Sequence, residues 1–126
     1  MGELAFYIVG HPPSVNASRS WHWAKRARET TSWQDATIWS VRDAMGSSTL
    51  AGDMRPVLVE VEFVYHTKRT RDRDNLVASL KPVIDGLVKA RIVRDDGPAW
   101  MPEPPRVTET YDRERTAGIY VKVTEI

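Results

Sequence analysis

The chain has 126 residues, which by the usual size of folding units predicts one domain over residues 1–126. It contains no cysteine, which excludes disulfides and a cysteine-based zinc site, and a reducing cytoplasm is the expected location. The net charge of +1 is too small to indicate a nucleic-acid partner by itself. No apolar stretch approaches the roughly 18 residues of a membrane span, so we expect a soluble protein with no membrane partner.

The first half of the chain predicts a strand, a helix and a second strand. Leu4–Val9 is continuously apolar, which is typical of a buried strand, and two prolines then end it. After a polar, basic and tryptophan-rich stretch, Ser32 is a suitable N-cap for a helix over roughly Trp33–Met45. Arg55–His66 alternates apolar with mixed residues, which predicts a strand with one apolar face.

A basic loop and a helix follow the second predicted strand. The loop covers Thr67–Arg73, and apolar residues at helical spacing then predict a helix from Asp74 to about Arg91. Pro82 lies inside that pattern, and proline costs roughly 3 kcal/mol in a helix interior. We therefore expect either a kink or a helix that begins near Leu80.

An acidic turn and two more strands complete the predicted fold. Asp95–Pro98 has the composition of a turn, and Arg106–Tyr111 and Ala117–Ile126 are expected to form a terminal hairpin. The predicted fold class is α+β. A mixed β-sheet with two helices packed on it is expected, in the order β-α-β-α-β-β.

Two pairs of aspartates are the candidate metal ligands. Asp72 and Asp74 are two residues apart, so in an extended segment their side chains point to the same side. Asp95 and Asp96 follow the predicted helix, where a turn can return them to the same neighbourhood. Such a cluster suits Mg²⁺, which polarises a phosphate and activates water in phosphodiester cleavage. On spacing alone, however, ion pairs between Asp72, Asp74 and the neighbouring arginines are the better-supported alternative.

Two clusters of basic residues predict local contacts with phosphates, because a local patch sets the potential that a ligand meets. The cluster around the aspartates consists of Lys68, Arg69, Arg71 and Arg73. The other consists of Lys25, Arg26 and Arg28, close to Trp21 and Trp23. Tryptophan rings can stack on unpaired bases, but packing on the core or across a dimer interface is the alternative for these two.

Four segments resemble the RusA-type Holliday junction resolvases, in the same order along the chain. They are Pro12-Pro13-Ser14-Val15-Asn16, Arg71-Asp72-Arg73-Asp74-Asn75-Leu76, Leu80-Lys81-Pro82-Val83-Ile84-Asp85-Gly86-Leu87 and Val93-Arg94-Asp95-Asp96. The family signature has P-P-S-x-N after the first strand, then D-x-D-N-L, a lysine with D-A-L or similar, and D-D. Each motif is modest support alone, but the ordered set outweighs the ion-pair alternative for the aspartates.

The resemblance implies a magnesium site made of Asp72, Asp74 and Asp96, with Mn²⁺ as an alternative metal, and a catalytic role for Lys81. It also implies a RusA-like homodimer that resolves four-way DNA junctions by paired nicks in recombination and repair. Family members occur in bacteria and often in phages or prophages. Two alternatives stay open: a relative that binds junctions without cleaving them, and a metal-dependent nuclease for other branched nucleic acids.

Val77-Ala78-Ser79 departs from the family pattern as a three-residue insertion before the lysine. In a continuous helix, three residues turn about 300° and rise about 4.5 Å. Lys81 is therefore expected on roughly the family face but one turn further from Asp74.

Overall fold

The computed structural model describes residues 2–69 and 71–126, and it has the predicted α+β fold class. In chain order the elements are β1 (Glu3–Val9), α1 (Val15–Ser18), α2 (Trp23–Ala44), β2 (Val57–Tyr65), α3 (Arg73–Ser79), α4 (Lys81–Lys89), β3 (Arg106–Tyr111) and β4 (Gly118–Glu125). Across these two described ranges, no helix combines the length and the apolar character needed to cross a membrane.

The strands have the order β1-β4-β2-β3, so the expected hairpin of the last two strands is wrong. β3 lies parallel to β2, and β4 lies antiparallel between β1 and β2. A parallel pair needs a crossover connection, which α3 and α4 supply here. Because β2 occupies the position between β3 and β4, residues 112–117 cross its end, where the Asp112 amide donates to the Tyr65 carbonyl at 3.0 Å.

One face of the sheet carries the hydrophobic core, and α2 and α4 cover that face. The buried sheet residues include the alternate positions predicted in β2 and β4: Val57, Val59, Val61, Phe63, Ile119, Val121 and Val123. Val41 of α2 and Leu87 of α4 pack against them. Burial of each such side chain contributes about 1.5–3 kcal/mol. At Gly118 a Cβ would lie 2.3 Å from the Ile8 carbonyl oxygen, so only glycine permits this approach of β4 to β1.

α2 begins ten residues before the predicted start, so the expected N-cap at Ser32 is wrong. The cap is His22, whose Nδ1 accepts a hydrogen bond from the Ala24 amide at 3.2 Å. Histidine is not a preferred N-cap residue, so residue type alone does not indicate a helix start at this position. The basic stretch 23–28 is consequently helical, because its alanine, lysine and arginine residues are good helix formers.

The expected kink near Pro82 is present as a break between α3 and α4. Leu80 ends α3 and caps α4, and Pro82 falls in the first turn of the new helix. A proline amide has no hydrogen to donate, and the first turn is where a helix tolerates that loss. Lys81 therefore lies at the start of a new helix, α4, and not inside a continuous helix from α3.

Candidate active site

Asp72 and Asp74 lie at the start of α3, shortly after the end of β2. Asp72 is the N-cap, and its Oδ1 accepts a hydrogen bond from the Asp74 amide at 3.0 Å. Asp74 lies in the first helical turn, where the helix dipole stabilises a negative charge. Both side chains are exposed. The local fold thus presents both carboxylates to solvent at the start of α3.

The Arg71 side chain contacts Tyr65 and Glu109 and does not pair with the two aspartates. Its guanidinium carbon lies 3.3 Å from the centre of the Tyr65 ring, and its Nη1 lies 3.7 Å from Glu109 Oε2. The Arg71 side chain is only 16% exposed. Within residues 2–69 and 71–126, no ion pair joins a cation to the carboxylate of Asp72 or Asp74. The predicted alternative of aspartate–arginine pairs therefore has no support in the described part of the chain.

Lys81 joins the start of α4 to the acidic turn that follows the helix. Its Nζ donates to Asp96 Oδ2 at 2.6 Å and to Asp85 Oδ1 at 2.9 Å. Asp96 is held in turn by its neighbour, because Asp95 Oδ1 accepts from the Asp96 amide at 2.9 Å. The structure therefore brings together two of the predicted site residues, Lys81 and Asp96, and adds Asp85. Side chains four residues apart on a helix are neighbours, so the spacing of Lys81 and Asp85 in the sequence could have indicated this contact.

The charges of this cluster stabilise one another. The hydrogen bond to Asp96, followed by that to Asp85, raises the pKa of Lys81 to about 12. The same Lys81 hydrogen bond lowers the pKa of Asp96 below its ordinary value. At neutral pH, Lys81 is therefore an ammonium and Asp96 a carboxylate, so Lys81 serves as a fixed positive charge and not as a proton acceptor.

The chemistry of Asp72, Asp74 and Asp96 fits a hard divalent cation, since all three offer carboxylate oxygens. In the described residues, however, no group of three or more His, Cys, Asp or Glu side chains lies close enough together to hold a metal ion. Asp74 and Asp96 are connected only indirectly, through Ala78 of α3. Ala78 shares a cleft with Asp96, and Asp74 lies one turn before Ala78 on the same helical face.

Lys81 lies between two clefts. The first, which we call the proline cleft, has a volume of about 400 Å³ and lies between α3, α4 and the loop after Asp96. Its loop residues include Pro98, Met101, Pro102, Pro104 and Pro105. Met101 is buried and Trp100 packs on the core, so this stiff loop both caps the core and flanks the cleft.

The second, which we call the tryptophan cleft, has a volume of about 210 Å³ and lies on the α2 side of Lys81. Trp21, Arg26, Glu29 and Trp33 line it opposite Lys81, Pro82 and Asp85. Of the predicted basic cluster on α2, Arg26 is thereby placed next to the start of α4. Sequence analysis assigned no role to Glu29 or Asp85.

The remaining predicted basic residues lie on the outside of this region. Lys25, Arg28, Lys68, Arg69 and Arg73 are all exposed, as is Arg26, which lines the tryptophan cleft. Lys25 Nζ lies 4.0 Å from the Trp21 ring centre, and Lys68 Nζ lies 5.1 Å from that of Tyr111. Of the two tryptophans singled out by sequence, Trp23 is 71% exposed, whereas Trp21 is half-buried. Neither belongs to the hydrophobic core.

The three histidines have structural contacts. His11 Nε2 lies 2.7 Å from the Val64 carbonyl oxygen, and His66 Nε2 lies 2.7 Å from that of Arg115. His22 caps α2. Each of these contacts ties a loop or a helix end to the rest of the fold.

No protein-family model matches this chain, and no curated protein matches it.

Proposed function

We propose that this chain is a RusA-type endonuclease that cuts four-way DNA junctions with Mg²⁺, or with Mn²⁺ in its place. Two observations support the proposal: the exposed aspartate pair at the start of α3, and the contact of Lys81, at the start of α4, with Asp96. Asp72 is the N-cap of α3 and Asp74 lies in its first turn, a position that suits acidic side chains. Lys81 and Asp96 add a fixed cation and a third carboxylate.

The proposal gives each side chain a separate task. Asp72, Asp74 and Asp96 are the residues that would hold the cation, which supplies positive charge at the phosphate and activates water. Lys81 keeps Asp96 ionised and contributes positive charge where negative charge develops on the phosphate. The exposed cations, which contact the DNA backbone in this proposal, are Lys25, Arg26, Arg28, Lys68, Arg69 and Arg73.

The proposed enzyme is a homodimer acting in DNA recombination and repair in the cytoplasm. Paired nicks across a two-fold symmetric junction need two active sites related by a two-fold axis. A monomer with one site would have to dissociate and rebind between the two cuts. A test for paired nicking on a cruciform plasmid therefore tests the dimer as well.

The direct test compares Asp74→Asn with the wild-type protein on a labelled four-way junction. We expect the variant to lose nicking in Mg²⁺, because one proposed ligand of the cation is removed. It should still bind the junction as tightly as the wild type, because only one carboxylate charge is lost. Asp43→Asn is the matched control, since Asp43 is an exposed aspartate on α2 outside both clefts. Nicking by Asp74→Asn at the wild-type rate would overturn the proposal.

A protein that binds junctions without cutting them is the second candidate function. The observation that favours it is the 2.6 Å contact of Lys81 with Asp96, which engages one proposed cation ligand with another positive charge. A panel of four-way junctions, flaps, duplexes and hairpins, with Mg²⁺ and with Mn²⁺, separates the candidates. Junction binding without nicking in both metals favours this second function, and preferred cutting of flaps or RNA favours a different metal-dependent nuclease.

A further inference from the structure

We propose that the tryptophan cleft binds the base of one unstacked nucleotide of the DNA substrate. This inference deepens the proposed nuclease function and rests on it for the identity of the ligand. The cleft has about 210 Å³ of space, less than the roughly 300–1,000 Å³ typical of sites for drug-sized ligands. That size suits a planar group of one or two rings and not a longer stretch of polymer.

The aromatic lining of the cleft suits a base. Trp21 is half-buried at the start of α2, and Trp33 packs against the hydrophobic core, which holds it in place. Stacking of a base on an aromatic side chain contributes about 1–3 kcal/mol. The Lys25 ammonium lies 4.0 Å from the Trp21 ring centre, so a cation for the attached phosphate is close to the stacking surface.

The polar groups of the cleft suit the edges of a base. Glu29 and Asp85 offer carboxylate acceptors, and Arg26 offers donors. Every base edge presents donors, acceptors or both, and these charged groups can pair with them. A lipid chain would instead place apolar groups against the charged Glu29 and Arg26, at a cost in desolvation.

The position of the cleft explains why a base there would matter for substrate choice. Lys81 lines the cleft and also contacts Asp96, so a nucleotide in the cleft is adjacent to the Lys81–Asp96 part of the candidate active site. Removing a base from an intact duplex costs a few kcal/mol in stacking and pairing, and this cost is lowest at an unpaired position. The cleft would therefore favour branch points over continuous duplex.

The test is a double-mutant cycle between Trp21 and single bases at the branch point, with junction affinity measured in EDTA. For the wild-type protein, replacing one branch nucleotide by an abasic site is expected to weaken binding by about 10-fold. For Trp21→Ala, the same abasic site is expected to have no further effect, and Trp21→Phe is expected to restore most of the wild-type response. Trp39→Ala is the control, because Trp39 is 63% exposed and lies outside the cleft.

The inference would be overturned if the losses of junction affinity caused by Trp21→Ala and by every abasic site were additive. Equal losses of affinity for Trp21→Ala and Trp39→Ala would also overturn it. If Trp21→Ala does not fold, Glu29→Gln replaces it in the same cycle. Because the assay needs no cleavage, it separates the two proposals. Coupling in a protein that never nicks DNA refutes the nuclease and keeps the cleft, whereas nicking without coupling refutes the cleft alone.

Discussion

The guanidinium of Arg71 stacks on the ring of Tyr65, with 3.3 Å between the guanidinium carbon and the ring centre. His11 stacks on the same ring at 4.1 Å between centres and contacts the Val64 carbonyl oxygen through Nε2. The stack of His11, Tyr65 and Arg71 therefore joins three parts of the chain: the segment after β1, the end of β2 and the residue immediately before Asp72. It fixes where α3 begins, so Arg71 is a positioning residue and its enclosed side chain is poorly placed to contact a phosphate.

We predict that Arg71→Ala lowers the free energy of unfolding by about 1 kcal/mol, through loss of the cation–π contact. In the proposed nuclease it should lower the nicking rate much more than junction affinity, because Asp72 is no longer held in place. Arg71→Lys should not restore the rate, since a lysine ammonium lacks the planar stacking surface. Urea unfolding and single-turnover nicking measure the two effects.

Arg69→Ala is the control for this positioning role, because Arg69 is exposed two residues earlier. Each lost phosphate contact lowers the slope of log affinity against log salt by about 0.9 on duplex DNA. We expect that change for Arg69→Ala and not for Arg71→Ala. An equal change in both variants would show that Arg71 contacts a phosphate after all.

The features that sequence analysis predicted correctly are local ones. The alternation in β2 reports directly which side of a strand is buried, and Val59 and Phe63 are buried as expected. The break near Pro82 follows from the missing amide hydrogen of proline. The helix-start position of Asp74 follows from the hydrophobic spacing after it. Each of these depends on a few neighbouring residues.

The features that sequence analysis missed depend on distant parts of the chain. β4 lies between β1 and β2 because of packing across the whole sheet, which the short link after Tyr111 does not reveal. The Lys81–Asp96 contact spans 15 residues and depends on how the chain returns after α4. The stack of Arg71 on Tyr65 depends on the direction of the loop between them, and no pattern in the sequence specifies it.

We predict that His11 makes the protein less stable as the pH falls below about 6.5. Burial lowers the pKa of His11 from its ordinary value of 6.5, and the charge of Arg71 acts in the same direction. Below about pH 6.5 the unfolded chain therefore binds more protons than the folded one, and the free energy of unfolding decreases. Above that pH the contribution of His11 to stability is fully present.

His11→Phe tests this pH dependence, because phenylalanine keeps a ring in the stack and cannot titrate. We expect the variant to lose stability at every pH, since it lacks the contact with Val64, and to show a flatter dependence between about pH 5 and pH 7. Urea unfolding across that range is the measurement. A slope equal to that of the wild type would assign the effect to other groups.

We predict that the positive charge of Lys81 persists through the alkaline range, because hydrogen bonding to Asp96 raises its pKa to about 12. The nicking rate should therefore show no loss due to Lys81 between about pH 9 and pH 10.5, where a lysine of ordinary pKa would lose up to about half of its charge. Lys81→Met should slow nicking, and Lys81→Arg should retain more activity because it keeps the charge. A decline in the wild-type rate that is absent in Lys81→Arg would contradict this prediction.

Gly86 sets how closely α4 approaches α2. A Cβ at this position would lie 2.7 Å from Thr37 Cβ and 3.0 Å from the Gln34 carbonyl oxygen, both of which belong to α2. Thr37 is fully buried, and its hydroxyl donates to the Trp33 carbonyl, so it has little room to move. We predict that Gly86→Ala lowers the free energy of unfolding by about 1–3 kcal/mol, despite the better helix propensity of alanine.

The same substitution should also reduce nicking, because separation of α4 from α2 moves Lys81 and widens the tryptophan cleft. Gly46→Ala is the matched control, since a Cβ at Gly46 would meet no atom within 4 Å. That control is expected to have wild-type stability and activity. Unfolding of Gly86→Ala and Gly46→Ala at the same urea concentration would contradict this prediction. It would mean that α4 and α2 can move apart with no loss of stability.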